Sequence, residues 1–194
     1  MEPHYEKNLI INNRELKYKG IFRMNDLFHA LNKALDERGY QKREKRTEEL
    51  VTEEGKRTFL ELRPFKQVTD YITLMIKLRI TFDHVTEMVQ VVDGEKKKFQ
   101  QGDVRISFDG WILTDYESRW QMKPLVYFMK GMLNKYLYKS PLEGKIPGTL
   151  IADTAYVYVQ AQKLLQSYKS EAGKVVGEDE VIKAMQQEME KGEE

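Results

Sequence analysis

The stretch Val68-Thr69-Asp70-Tyr71-Ile72-Thr73-Leu74-Met75-Ile76-Lys77-Leu78-Arg79-Ile80-Thr81-Phe82 decides the fold. Val68, Ile72, Leu74, Ile76, Leu78, Ile80 and Phe82 recur at every second position, broken at Asp70, and Thr69, Thr73, Lys77, Arg79 and Thr81 stand between them. Successive side chains on a strand point to opposite faces, so this period of two predicts one dry face and one wet face. At about 3.3 Å per residue the strand would run on the order of 50 Å, well beyond the usual ~17–20 Å. A strand that long must bend around something, and the apolar C-terminal half supplies helices for it to bend around.

Upstream, Leu16, Tyr18, Gly20 and Phe22 alternate and predict a first short strand. A helix follows, with Asn25 as N-cap, Leu27, Leu31, Ala34 and Leu35 as its apolar stripe, and Gly39 at C′. Tyr40 to Thr52 reads as an edge strand or a loop, and Glu53-Glu54-Gly55-Lys56 as a hairpin turn into Thr58–Leu62. Arg63-Pro64-Phe65-Lys66 breaks that strand. Downstream, Asp93-Gly94 is a type I′ hairpin signal, and Gln101-Gly102 reads as a turn into a second long strand carrying Val104, Ile106, Phe108, Ile112 and Tyr116 on one face. Gly110 sits where a bulge or bend would let the sheet curl.

After Trp120 the period becomes helical. Pro124 fits a first helical position, and Leu125, Phe128, Met129, Met132, Leu133, Tyr136 and Leu137 make an apolar face to about Lys139. Ser140 to Gly148 reads as a loop, and a further helix is expected from Leu150 to Tyr168. The resulting expectation is an α+β fold, residues 1–172, in which a curved antiparallel sheet of six or seven strands packs on an N-terminal helix and C-terminal helices. Its expected core is Ile72, Leu74, Ile76, Leu78, Ile80, Val104, Ile106, Phe108, Leu125, Phe128, Met132 and Leu133. Residues 173–194 form an acidic tail in which Val181, Ile182, Met185 and Met189 keep a short helical stripe.

The composition excludes several function classes. The chain has 194 residues and no cysteine, so disulfides, thiolate metal sites and a cysteine nucleophile are absent, which suits a cytoplasmic location. Met1 to Glu6 shows no cationic region followed by an apolar core, so no secretory signal is expected. The formal net charge of +1 gives no global attraction to nucleic acid, so any electrostatic function must be local.

No reactive constellation stands out. His4, His29 and His84 lack partners at metal-ligand or triad spacing, and no phosphate-cradling glycine motif is present, so no cofactor is implied. Gly148-Thr149 would open a helix and could face an anion, but capping by Thr149 is the simpler expectation. Asp109, Asp115 and Glu117 could share a strand face as paired carboxylates. Charges on a wet face, paired with Arg105, Arg119 or a lysine, are the ordinary alternative.

The candidate contact residues are of another kind. Arg119, Lys123, Lys130, Lys135 and Lys139 occur without an acidic residue among them, interleaved with Trp120, Tyr127, Phe128, Tyr136 and Tyr138. A cationic helix with aromatics could touch RNA or an anionic membrane, or simply turn its lysines to water. Lys42-Arg43-Glu44-Lys45-Arg46 is a second basic cluster, diluted by acids. The tail stripe Val181, Met185 and Met189 could dock in cis or on a partner. Met75, Met88, Tyr71 and Trp111 fall on the nominally wet sheet face, where an apolar patch would need a partner.

The element order, from Leu16 to Tyr168, resembles the helix-grip fold of START and Bet v 1-like proteins, with one N-terminal helix instead of two and an added C-terminal helix. That resemblance implies a bent sheet gripping the last helix over an apolar cavity, and so a carrier, or an enzyme, for a small apolar ligand. Separately, Tyr18-Lys19-Gly20-Ile21-Phe22, Glu37-Arg38-Gly39-Tyr40 and Asp115-Tyr116-Glu117-Ser118-Arg119-Trp120 resemble segments of uncharacterised archaeal proteins, which implies an origin and no activity. The leading functional expectation is a non-enzymatic cytoplasmic binding protein, a protein-interaction or assembly component that binds a protein or itself. A small apolar ligand is the alternative, and contact with RNA or a membrane through residues 119–139 is the next.

Overall fold

The alternating stretch is a strand, and it is longer than its pattern suggests. The structure is a computed structural model that describes residues 6–52, 55–69, 71–92, 95–114, 132, 145–168, 182, 183 and 185–187. In chain order the elements are β1 (Glu6–Phe22), α1 (Met24–Glu37), β2 (Glu44–Thr52), β3 (Gly55–Leu62), β4 (Phe65–Gln67), β5 (Ile72–Val92), β6 (Glu95–Thr114) and α2 (Lys145–Ser167). The six strands form one open antiparallel sheet in the order β1-β6-β5-β3-β2, with β4 also paired to β5. Together with α1 and α2 they make the α+β fold expected from the pattern.

The dry face is the one the alternation names. Leu74, Ile76, Leu78, Ile80 and Phe82 are fully buried, and the register sets Leu78 opposite Phe108, Ile80 opposite Ile106 and Phe82 opposite Val104. Val68 departs from the pattern: it is exposed, because the chain bends there and Thr69 Oγ1 accepts the N–H groups of Tyr71 (3.2 Å) and Ile72 (2.9 Å). Met132, expected in the core, is exposed as well. Among the described residues, α1 and α2 supply the inner layer against the sheet. Leu125, Phe128 and Leu133 lie outside the described residues.

The helix α1 starts two residues earlier than its local capping signal implies. Arg23, in extended backbone, occupies the N-cap position, and the freed Met24 N–H is donated to Gln100 Oε1 of β6 at 3.1 Å. A distant strand therefore replaces the expected Asn25 cap. The C-terminus follows expectation. Gly39 at φ 77° donates to Asp36 O, and Tyr40 donates to Leu35 O, the paired bonds of a Schellman motif.

α2 begins at Lys145, so Pro147, Gly148 and Thr149 are its first turn and not the loop expected there. Proline is tolerated in that turn because no intrahelical partner for its N–H exists yet. Thr149 Oγ1 donates back to Lys145 O at 2.7 Å, so it does not cap the helix. Burial on α2 extends past a single stripe to Ile151, Asp153, Thr154, Tyr158 and Val159, as a helix enclosed on more than one side requires. α1 and α2 run antiparallel: Tyr168 donates to Asp26 Oδ2 (2.6 Å) at one end and Tyr156 to Glu37 Oε2 (2.5 Å) at the other.

Two creases bend the long strands. In β1 the register shifts between Leu9 and Ile11 and again between Ile11 and Arg14, with Asn13 at φ 50°. Gly110 of β6 sits opposite this bulge, and the Ile11 side chain fills the space where a Cβ would stand. The second crease crosses β5 between Asp83 and Thr86, where His84 takes φ 54°. Gln101-Gly102, read as a turn, is instead continuous β6 strand facing this second bulge. The first strand is likewise long and not short, because the bulges in β1 erase its period of two.

Gly102 is required by that approach. A Cβ there would lie 2.8 Å from Asp83 O and 3.2 Å from Val85 Cα, both backbone atoms that cannot step aside. Gly102→Ala should therefore cost about 1–3 kcal/mol by forced displacement. Gly148→Ala, where a Cβ meets nothing within 4 Å in a helix, should be neutral or stabilising by up to about 1 kcal/mol. Urea unfolding of the two variants checks the contrast.

Candidate functional site

The outer sheet face is less wet than its pattern implies. Thr73 and Leu113 are buried there as a pair, and Tyr71, Met75 and Trp111 are each half-buried instead of forming an exposed patch, while Met88, also half-buried, lies past the β5 bulge opposite Phe99, whose ring meets Tyr168 at the end of α2. Asp109 is buried on the same face, and its carboxylate is held by Arg79 of β5, whose Nη2 reaches Oδ2 at 3.0 Å and Oδ1 at 3.3 Å. The Asn13 backbone N–H donates to Asp109 Oδ1 at 2.8 Å, and Ser107 Oγ donates to Asn13 Oδ1 at 2.6 Å. This network ties the β1 bulge to β6 and β5. A carboxylate already bound to a guanidinium and an amide is a structural tie, and its partner is Arg79, not the Arg105, Arg119 or lysine expected. Asp115 and Glu117 lie outside the described residues. No group of three or more His, Asp or Glu side chains that could hold a metal occurs among the described residues.

Of the contact residues named from the sequence, Arg119, Trp120, Lys123, Lys130, Lys135, Lys139, Val181 and Met189 lie outside the described residues. Met185 is helical and buried, and with the half-buried Ile182 it packs on the core cluster.

Two features can engage a ligand or partner, one that sequence reading did not single out and one that it read as an edge strand or a loop. The first is a groove of about 460 Å³ between α1 and the β2–β3 hairpin. Phe28, Leu31, Leu35, Leu60, Leu62 and Pro64 make its apolar wall, and Lys42, Arg43, Asn32 and Thr47 line it alongside. Thr58 Oγ1 is buried there with no hydrogen-bond partner among the described residues. Lys42 is paired with Asp36 at 3.4 Å.

The second feature is β2 itself. It ends the sheet, and every side chain described from Arg46 to Val51 is exposed; Leu50 is 58% and Val51 77% accessible. Arg46 is ion-paired to Glu48 two residues on (Nε–Oε1 2.6 Å), and Glu49 to Lys56 of β3. On α2, Asp153 is buried between Lys66 of β4 (2.9 Å) and Arg38 (3.9 Å). Burial first, and the nearby Asp153 charge second, push the Tyr40 hydroxyl far above the usual tyrosine range. That cluster ties α2 to β4 and to the C-terminus of α1.

Fold and site together define a class: an α+β protein with an open antiparallel sheet, α1 and α2 packed against it, and a hairpin, β2–β3, at one sheet edge among the described residues. No helix among the described residues is long and apolar enough to cross a membrane. The chain matches no protein-family model, and neither a curated protein nor a solved structure shows significant similarity to it.

Proposed function

We propose that the protein works by binding another protein, as a non-enzymatic interaction or assembly component, with the β2–β3 hairpin as its contact. The supporting observation is the edge strand β2, exposed along its described length and ending in accessible Leu50 and Val51. Unpaired strand edges recruit strands, and apolar side chains at their ends add buried area on association. A cytoplasmic setting and the archaeal origin suggested by resemblance belong to the same proposal. The test is a photo-crosslinking residue placed at Val51 and, as a control, at the exposed Lys98. Covalent protein adducts from position 51 and not from 98 are expected in expressing cells. Absence of adducts at position 51 overturns the proposal.

The groove beside α1 favours a second reading, a carrier for a small apolar ligand. About 460 Å³ is within the range of small-molecule sites, which combine apolar walls with a few polar groups such as the Thr58 hydroxyl. Native mass spectrometry of freshly purified protein should then show retained mass, which Leu31→Trp, projecting bulk into the groove, should expel. Unliganded protein at its sequence mass rules this reading out.

A further inference from the structure

Resting on the binding reading above, we infer that the partner docks on the outer sheet face beside the hairpin, setting an acidic side chain on Arg105 and an apolar side chain against Phe59 and Leu50. Arg105 stands mid-sheet on β6 and is exposed. Its register neighbours are Lys17 of β1 on one side and Thr81 of β5 on the other. All three belong to the outer face, because Leu16, Tyr18, Val104, Ile106, Ile80 and Phe82 beside them in sequence are buried in the core.

Lys17 directly opposite Arg105 breaks a rule of sheets, since like charges so placed repel. The acidic side chains nearby do not repair it. Glu15 is bound by Lys17 at 2.8 Å and feels the charge of Arg105 without an ion pair to it. Asp103 is held by Lys19 (3.7 Å) and Asp83 by Arg57 (3.0 Å). Among the described residues, then, no carboxylate is ion-paired to Arg105. An oxyanion seated over Arg105 would have a guanidinium beneath it, an ammonium one strand away on one side and the Thr81 hydroxyl one strand away on the other. A local rule broken without repair within the chain marks a place where a partner completes the arrangement.

The same row of the sheet continues from Thr81 to Phe59 of β3 and Glu48 of β2. There Phe59 and Leu50, with Arg46 and Arg57, line a shallow hollow of about 660 Å³. Aromatic and arginine side chains are the residues that binding surfaces favour. Arg105 and Phe59 are two strand spacings apart, roughly 10 Å, the distance that three residues of extended chain span. An acidic residue three places from an apolar one therefore reaches both. A phosphate backbone fits less well, because Glu15, Asp103 and Asp83 interrupt the positive track it would follow. The occupant is a protein segment carrying a carboxylate and an apolar anchor.

Fluorescence anisotropy with the full chain tests the inference. The probe is a labelled peptide in which leucine and glutamate recur three residues apart in a glycine–serine frame, and its control carries glutamine for glutamate. Wild type should bind the acidic peptide roughly tenfold more tightly than the control, a preference that fades as salt is raised. Arg105→Gln should erase the preference, and Leu50→Ser should weaken binding of both peptides. Lys98→Gln, which removes a cation elsewhere on β6, should change nothing. Because it also relieves the contact with Lys17, Arg105→Gln should unfold at a temperature no lower than wild type. A clearly lower midpoint would make Arg105 a structural tie and overturn the inference. Equal binding of the two peptides, a preference that survives Arg105→Gln, or a Leu50→Ser variant that binds as wild type does would overturn it too, and tighter binding of oligouridylate than of the acidic peptide would exclude the protein occupant. Crosslinks from position 51 that persist undiminished in an Arg105→Gln background overturn the inference and leave the binding reading standing. Absence of crosslinks from position 51 in the wild-type background overturns both.

Discussion

Replacing Phe82 by alanine should lower the unfolding free energy by about 3–5 kcal/mol, the cost of emptying an aromatic core site. Phe82 is wholly buried at the point where three elements meet. Its ring stacks on Phe22 at the end of β1 (5.6 Å, 20°) and meets Phe28 of α1 edge-on (5.9 Å, 83°). Along the sheet it is opposite Val104 on one side and Thr58 on the other. Sheet hydrogen bonds fix the neighbouring backbones, so the site cannot collapse, and the cavity term adds to the lost transfer energy. Aromatic pairing geometry contributes a further ~0.5–1.5 kcal/mol per pair at most. Since whole domains are stable by only about 5–15 kcal/mol, the variant should unfold at much lower urea. Phe82→Leu, which keeps most of the volume, should lose no more than about half as much. Equal losses would mean that the three-way junction tolerates a void.

Arg79→Met should cost about 2–4 kcal/mol, for an electrostatic reason. Breaking a buried pair leaves the surviving charge in a poorly solvated site, worth about 3–5 kcal/mol when burial is complete. Asp109 is well buried, but the Arg79 side chain is 35% accessible, so the upper part of that range is discounted. After the substitution Asp109 keeps the Asn13 N–H, while Asn13 Oδ1 and Ser107 Oγ lose the guanidinium they share with it. Adding Asp109→Asn removes the stranded charge and should recover a large part of the loss. A double-mutant cycle by urea denaturation isolates the term, and additive losses would show that the pair does not couple.

These two sites also mark what the sequence could disclose. Leu74 to Phe82 announced a strand with its buried face because a regular ladder preserves the period of two. β1 did not, because bulges around Ile11 and Asn13 slip that period, and the β5 bulge at His84 hid ten further residues of strand. Gly102 looked like a turn residue because close backbone approach and turning both favour glycine. The Asp109–Arg79 tie was illegible because its members are thirty residues apart on strands whose register only the fold supplies. The edge character of β2 was half legible: charge and exposure were in the text, but which strand ends a sheet is a matter of topology.

The pairing of β1 with β6 also orders events in time. Glu6 meets Thr114 and Phe22 meets Gln100, so β1 waits during synthesis for a strand that follows it by most of the described sheet. Non-local pairings of this kind are slow to close, whereas β5 and β6, joined by a short connection, can zip together early. During that wait a long N-terminal strand lies open to neighbouring chains. The Asn12-Asn13 bulge, which interrupts its regular ladder, shortens the straight run available to a stranger, so the irregularity that obscures β1 also guards it while the chain is incomplete.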